Sequence, residues 1–162
     1  LIDLWTEVHI KYPEWLLDIY GEGNDKQKLE KLITTLDLNK SVKIHQPCQD
    51  IKDKYLNSSI FVMTSRYEGL PMTLLEATGL GLPVVCYDFK CGPKDVIRNG
   101  KNGFLIKEND KESFVKALNK LMEDESLRKF MGNNAKSFSN RYSHKTIMKE
   151  WINLFNEIVQ TK

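Results

Sequence analysis

No stretch of this chain holds the roughly 20 consecutive apolar residues that a membrane-spanning helix needs. It has three cysteines, Cys48, Cys86 and Cys91, an odd number with no close pairing pattern. A disulfide framework is not expected, and a reducing cytoplasm is the simplest setting. The histidines, His9, His45 and His144, are scattered, and no Asp-x-Asp occurs. Clustered acidic or imidazole ligands are therefore lacking, and no metal site is expected. Charge of one sign is lacking too: 24 basic against 22 acidic residues leave +2, too little to argue for nucleic acid. There are no internal repeats and no low-complexity stretch.

What is there is 162 residues of globular composition, enough for one domain with its own core. The chain opens on Leu1, Leu4, Trp5 and Val8 at helical spacing, without a capping residue ahead of them. Short apolar runs then alternate with amphipathic ones. Strands are expected at Trp15–Tyr20, Ser41–His45, Ile60–Ser65, Pro83–Asp88 and from Phe104, after a turn at Asn102-Gly103. Helices are expected at Asp25–Leu38, at Asp50–Ser59 with Asp50 as cap, and at Pro71–Leu80, where Gly81 and Pro83 stop the helix. The run Ile60–Ser65 is apolar on both faces, which predicts a central parallel strand. Later helices should cover Asn109–Asp124, with Asn109 and Glu112 as a capping box, then Leu127–Tyr142, and last Ser143–Gln160. The last carries Ile147, Trp151, Phe155 and Ile158 on one stripe.

Alternating strands and helices mean a mainly parallel, Rossmann-like sheet with helices on both faces. Ligands in such folds bind at the carboxyl ends of strands. Three loops qualify: Gly21 to Asp25, His45 to Pro47, and Thr64 to Pro71.

The third loop opens the helix Pro71–Leu80. The first amides of a helix have no internal partner, so those of Met72, Thr73 and Leu74 should face an anion. Gly69 allows close approach of a ligand to the backbone. Glu68 stands outside this helix start and Glu76 one turn inside it. A carboxylate accepts hydrogen bonds and can grip paired hydroxyls. Two carboxylates around an anion site suit a diphosphate with hydroxyls on either side. A lone glutamate in an apolar helix is more often a structural residue. The pair around Gly-Leu-Pro reads better as a ligand site. The turn Cys91–Ile97 offers Lys94 as an anion contact and Asp95 as a cap, although an ordinary solvated turn is the better reading. Gly21-x-Gly23 is not a full dinucleotide fingerprint.

The stretch SRYEGLPMTLLEATGLGLPVV, Ser65 to Val85, resembles the signature of the group 1 (family four) retaining glycosyltransferases. The likeness extends to IYGEGNDKQKLEKLI and to GPKDVIRNGKNGFLI. It implies the carboxyl-terminal, donor-binding half of a GT-B fold spanning residues 1–162, with 143–162 as the terminal helix. A first strand and an amino-terminal acceptor domain are expected outside this chain. By position, Glu68 would contact the donor sugar as the catalytic carboxylate. Gly69, Leu70, Pro71, Met72 and Thr73 would hold the diphosphate, with Gly21 and Gly23 lining its side of the cleft. Glu76 would take the ribose, and Gln46 in the loop His45-Gln46-Pro47 would meet the base.

The resemblance also implies metal-independent transfer, without a cofactor, from a UDP-hexose or UDP-N-acetylhexosamine. The acceptor would be a saccharide or lipid-linked molecule of cell-surface polysaccharide synthesis. The expected setting is the cytoplasm, with peripheral association at the inner face of the membrane. The family's basic diphosphate-binding residues would lie ahead of Leu1, so this chain alone is expected to be catalytically silent. In a GT-B fold the last helix crosses to the other domain, so Trp151 and Phe155 should lack a partner here. Two alternatives stand beside this reading: a nucleotide-sugar epimerase of the same fold, and a nucleotide-binding module without chemistry.

Overall fold

A computed structural model describes residues 1–160, and residues 161 and 162, the end of the expected terminal helix, lie outside the described residues. In chain order the elements are α1 (Ile2–Lys11), β1 (Leu17–Tyr20), α2 (Lys26–Thr35), β2 (Val42–His45), α3 (Ile51–Leu56), β3 (Phe61–Met63) and α4 (Met72–Gly79). They continue with β4 (Val84–Asp88), α5 (Pro93–Val96), β5 (Gly103–Lys107), α6 (Lys111–Glu123) and α7 (Glu125–Ser139). A 3₁₀ turn, Asn140–Tyr142, leads into α8 (His144–Gln160).

Among the described residues all strand pairs are parallel, as the alternation predicts. β4 lies between β3 and β5, with Met63 opposite Cys86 and Cys86 opposite Leu105. Its side chains alternate between two cores. Val85 and Tyr87 pack with Phe114, Leu118 and Leu121 of α6 and with Trp5 and Val8 of α1. Val84 and Cys86 face the opposite way, toward Leu74 of α4 and Val96 of α5. A fully buried side chain of this size contributes roughly 1.5–3 kcal/mol. The three-stranded sheet is therefore fixed from both sides.

β1 and β2 form a separate pair, with Tyr20 opposite His45. They share the α1 core through Leu17 and Val42 but do not pair with β3. Between the edges of β1 and β3 runs a groove of 680 Å³, lined by Leu17 and Ile19 on one side and Phe61 and Val62 on the other. The expectation of a central β3 is corrected here. Its apolar faces reflect helices above and below, but only one of its edges is paired. The strand order β2-β1, groove, β3-β4-β5 matches a Rossmann order 3-2-1-4-5-6 with the groove in the place of strand 1. Trp5 lines the groove, and its buried indole N–H has no acceptor among the described residues.

Two caps also differ from expectation. Asp110, not Asn109, caps α6 by accepting from the Ser113 amide at 3.0 Å. Asn109 is in the left-handed region, φ 65°, and leads the chain into the cap. Glu112 pairs instead with Lys116 along the helix. Asp50 occupies the cap position of α3 without a side-chain hydrogen bond. α7 crosses the end of α4 backbone to backbone: a Cβ on Gly132 would lie 2.2 Å from the Gly81 carbonyl oxygen. The stripe on α8 is bare as expected, with Trp151 50% and Phe155 57% exposed. No described helix is long and apolar enough to cross a membrane.

Candidate functional site

The loop 64–71 leaves the carboxyl end of β3 and turns into α4 at Pro71, the N-cap residue. Pro71 is extended there, φ −72° and ψ 97°, which aims the first amides of the helix outward. The amides of Met72 and Thr73 have no acceptor among the described residues. The Leu74 amide does: it donates to the Pro71 carbonyl at 3.0 Å, and Leu75 shares that oxygen at 3.3 Å. The expectation that Leu74 offers a free donor is thus corrected, because the first turn tightens onto Pro71. The donor set is two amides plus the positive end of the helix dipole.

The loop is braced from behind. Gly92, φ 99°, sits so close that a Cβ would lie 2.3 Å from Pro71 Cδ and 3.2 Å from the Gly69 carbonyl oxygen. The turn Cys91–Ile97 is therefore a wall for the loop and not a second anion site. Lys94 is held by Asp88 at 2.8 Å, and Gly92, not Asp95, takes the cap position of α5. Among the described residues no group of three metal-ligating side chains gathers.

The two glutamates differ in support. Glu68 is half-buried and accepts from the Ser65 hydroxyl at 2.9 Å, which leaves its second oxygen available. Glu76 is exposed and accepts from the Tyr55 hydroxyl at 3.1 Å. It is not a buried glutamate tied to backbone groups. Burial first, and then the charge of Glu76, push the Tyr55 hydroxyl up from its ordinary value, so it stays protonated as a donor. Glu68 through Glu76 thus lie on one loop-helix unit at the carboxyl edge of the sheet.

Across the groove are the ends of β1 and β2. Tyr20 stacks on His45 with centroids 4.6 Å apart, and His45 Nε2 lies 2.6 Å from Asp18. Gln46 follows, exposed. Gly21 and Gly23 have open space where a side chain would be, and the Gly21 amide donates to the His45 carbonyl at 3.1 Å. Among the described residues Thr73 is the one predicted site residue that lines the groove, beside Tyr20 and Tyr55. Gly21, Gly23, Gln46 and the rest of the unit from Glu68 to Glu76, Glu76 included, lie outside it. Sequence reasoning missed Tyr55, Ser65 and Gly92 as supports. Ser65 was within reach of a local reading, three residues from Glu68. Tyr55 and Gly92 meet the site only through the fold.

This arrangement defines a class: a Rossmann-like domain that presents a helix start between two carboxylates at the carboxyl edge of its sheet. Residues 1–138 match the family of glycosyl transferases group 1, and the chain belongs to that family. It is 37% identical to an exopolysaccharide phosphotransferase of Streptomyces coelicolor over 93% of this chain and 16% of that protein. It is 36% identical to the amylovoran biosynthesis glycosyltransferase AmsD of Erwinia amylovora over 96% of this chain and 43% of that one. Among solved structures it resembles a variant of TarM from S. aureus in complex with fondaparinux, α-GlcNAc-glycerol and UDP. That likeness has a TM-score of 0.90 at 31% identity, over 96% of this chain and 32% of the other. The fold is that of the carboxyl-terminal half of a GT-B glycosyltransferase. The chain spans less than half the length of each of these relatives.

Proposed function

We propose that the chain, residues 1–162, is the donor-binding domain of a retaining glycosyltransferase that uses a UDP-hexose or UDP-N-acetylhexosamine. The observation that carries this is the start of α4: two unpaired amides, Met72 and Thr73, between Glu68 and Glu76. The amides and the helix dipole would take the diphosphate, which leaves as the sugar is transferred. Oriented dipoles stabilise a departing anion without reorganising, so no metal is required for that role. Glu76, steadied by Tyr55, would accept from the ribose hydroxyls. Glu68, steadied by Ser65, would accept from the donor sugar and stand nearest the chemistry. Gln46 would meet the base, and Gly21 and Gly23 would keep their side of the cleft open. UDP in the TarM complex supports this nucleotide. The name of AmsD supports an acceptor in extracellular polysaccharide synthesis, saccharide or lipid-linked. Such an acceptor would reach the protein at the inner face of a membrane.

The acceptor side would come from another part of a longer protein, so this chain alone should bind donor and transfer nothing. Titration with UDP, GDP and ADP, followed by their sugars, tests the reading. UDP-sugars should bind tighter than UDP, and UDP tighter than the others. Equal, weak binding of all three nucleotides would contradict it.

A further inference from the structure

At the amino end of β5, the edge of the sheet opposite Glu68, the turn 98–102 meets the last residues of α7. We propose that Arg98, Lys101 and Arg141 form a second binding site there, for a phosphate group. The turn is rigid. Asn102, 1% exposed, accepts from the Arg98 amide at 2.6 Å and donates to the Val96 carbonyl at 3.1 Å. Asn134 of α7 donates to the Lys101 carbonyl at 2.9 Å. The guanidinium carbons of Arg98 and Arg141 each lie 5.0 Å from the centre of the Phe138 ring. A guanidinium held on an aromatic ring keeps its N–H edge free for a tetrahedral oxyanion.

Together with Ser137 these groups line a concavity of 480 Å³, room for a phosphate and the group it esterifies. Its lining among the described residues holds no carboxylate. Among the described residues none of the three cations is in an ion pair, whereas Lys11, Lys26, Lys94, Lys116 and Lys129 each have one. The three cations line one concavity, and an anion seated in it would be attracted by each of them. This convergence on one ring, over a turn fixed by a buried asparagine, separates the cradle from an ordinary solvated basic face. A small phosphate ester and an anionic lipid headgroup present the same chemistry to it.

The test is a site-resolved NMR titration of the ¹⁵N-labelled chain with inorganic phosphate and with glycerol 1-phosphate, at constant ionic strength. Saturable shifts confined to residues 98–102 and 134–141 are expected. Arg98→Gln with Arg141→Gln should weaken binding by at least about tenfold. Lys116→Gln should change nothing, and UDP affinity should be the same in all variants. Should the double variant melt early, Lys101→Gln alone carries the same expectation with a smaller loss. Shifts that never saturate, or that spread over every basic residue, overturn the proposal, as does a double variant that binds like the parent. Sedimentation with phosphatidylglycerol and with phosphatidylcholine vesicles then distinguishes the sources. Phosphatidylglycerol-dependent sedimentation that the double variant loses assigns a lipid headgroup. Phosphate binding without sedimentation assigns a soluble ester. Sedimentation that the double variant retains contradicts the site.

Discussion

The two sheets of this chain are built from the same kind of strand and end in different states. In β4 every residue but the last is buried, and both faces are covered. In β1 and β2 only the first residue of each is buried, and the rest are partly or fully exposed. β4 is paired on both edges, whereas β1 has the groove on one side. The helix start that should take the diphosphate sits on the packed half. The loop that should meet the base sits on the half with less to hold it. Local stability follows buried apolar contact, so one half offers a fixed anchor and the other an adjustable one.

Truncation in the two halves should expose this difference. Phe114→Ala, at the centre of the packed half, should cost about 3–5 kcal/mol in chemical denaturation. Gly132→Ala should cost about 3 kcal/mol, because its methyl group meets a backbone carbonyl and not a yielding side chain. Ile19→Ala, half-buried in β1, should cost only about 1 kcal/mol. A cost at Ile19 equal to that at Phe114 would mean that both halves are equally tight. Amide hydrogen exchange supplies the gentlest comparison: β1 and β2 should exchange well before β4. Added UDP should slow exchange in the first turn of α4 and around Gly21 to Gln46 together.

Most of the architecture was legible in the sequence, because a buried parallel sheet writes itself as apolar runs between amphipathic ones. Pro83–Asp88 and the unit from Ser65 to Leu80 are examples. What was not legible depended on contacts far apart in the chain. Tyr55 reaches Glu76 across 21 residues. β3 became an edge because its neighbour on one side is a groove, which its own composition does not encode. Asn109 and Asp110 are both capable caps, and the backbone angle at Asn109 decided between them. The Leu74 amide was lost to the site because Pro71 stands outside the helix by one residue and offers its carbonyl back. Gly132 meets the Gly81 carbonyl only through the fold, and nothing in its own segment marks the contact.

The central claim is that Glu68 and Glu76 serve opposite ends of one ligand. Titrating UDP and UDP-N-acetylglucosamine against the parent chain, Glu68→Gln and Glu76→Gln tests it directly, once all three are shown to melt alike. A hydrogen bond to a charged group is worth roughly 1.5–3 kcal/mol, so Glu76→Gln should weaken both ligands by about tenfold or more. Glu68→Gln should leave UDP nearly unchanged and remove only the extra affinity that the sugar brings. If Glu68→Gln loses UDP as severely as Glu76→Gln does, the two carboxylates do not divide the ligand in this way, and the assignment is wrong.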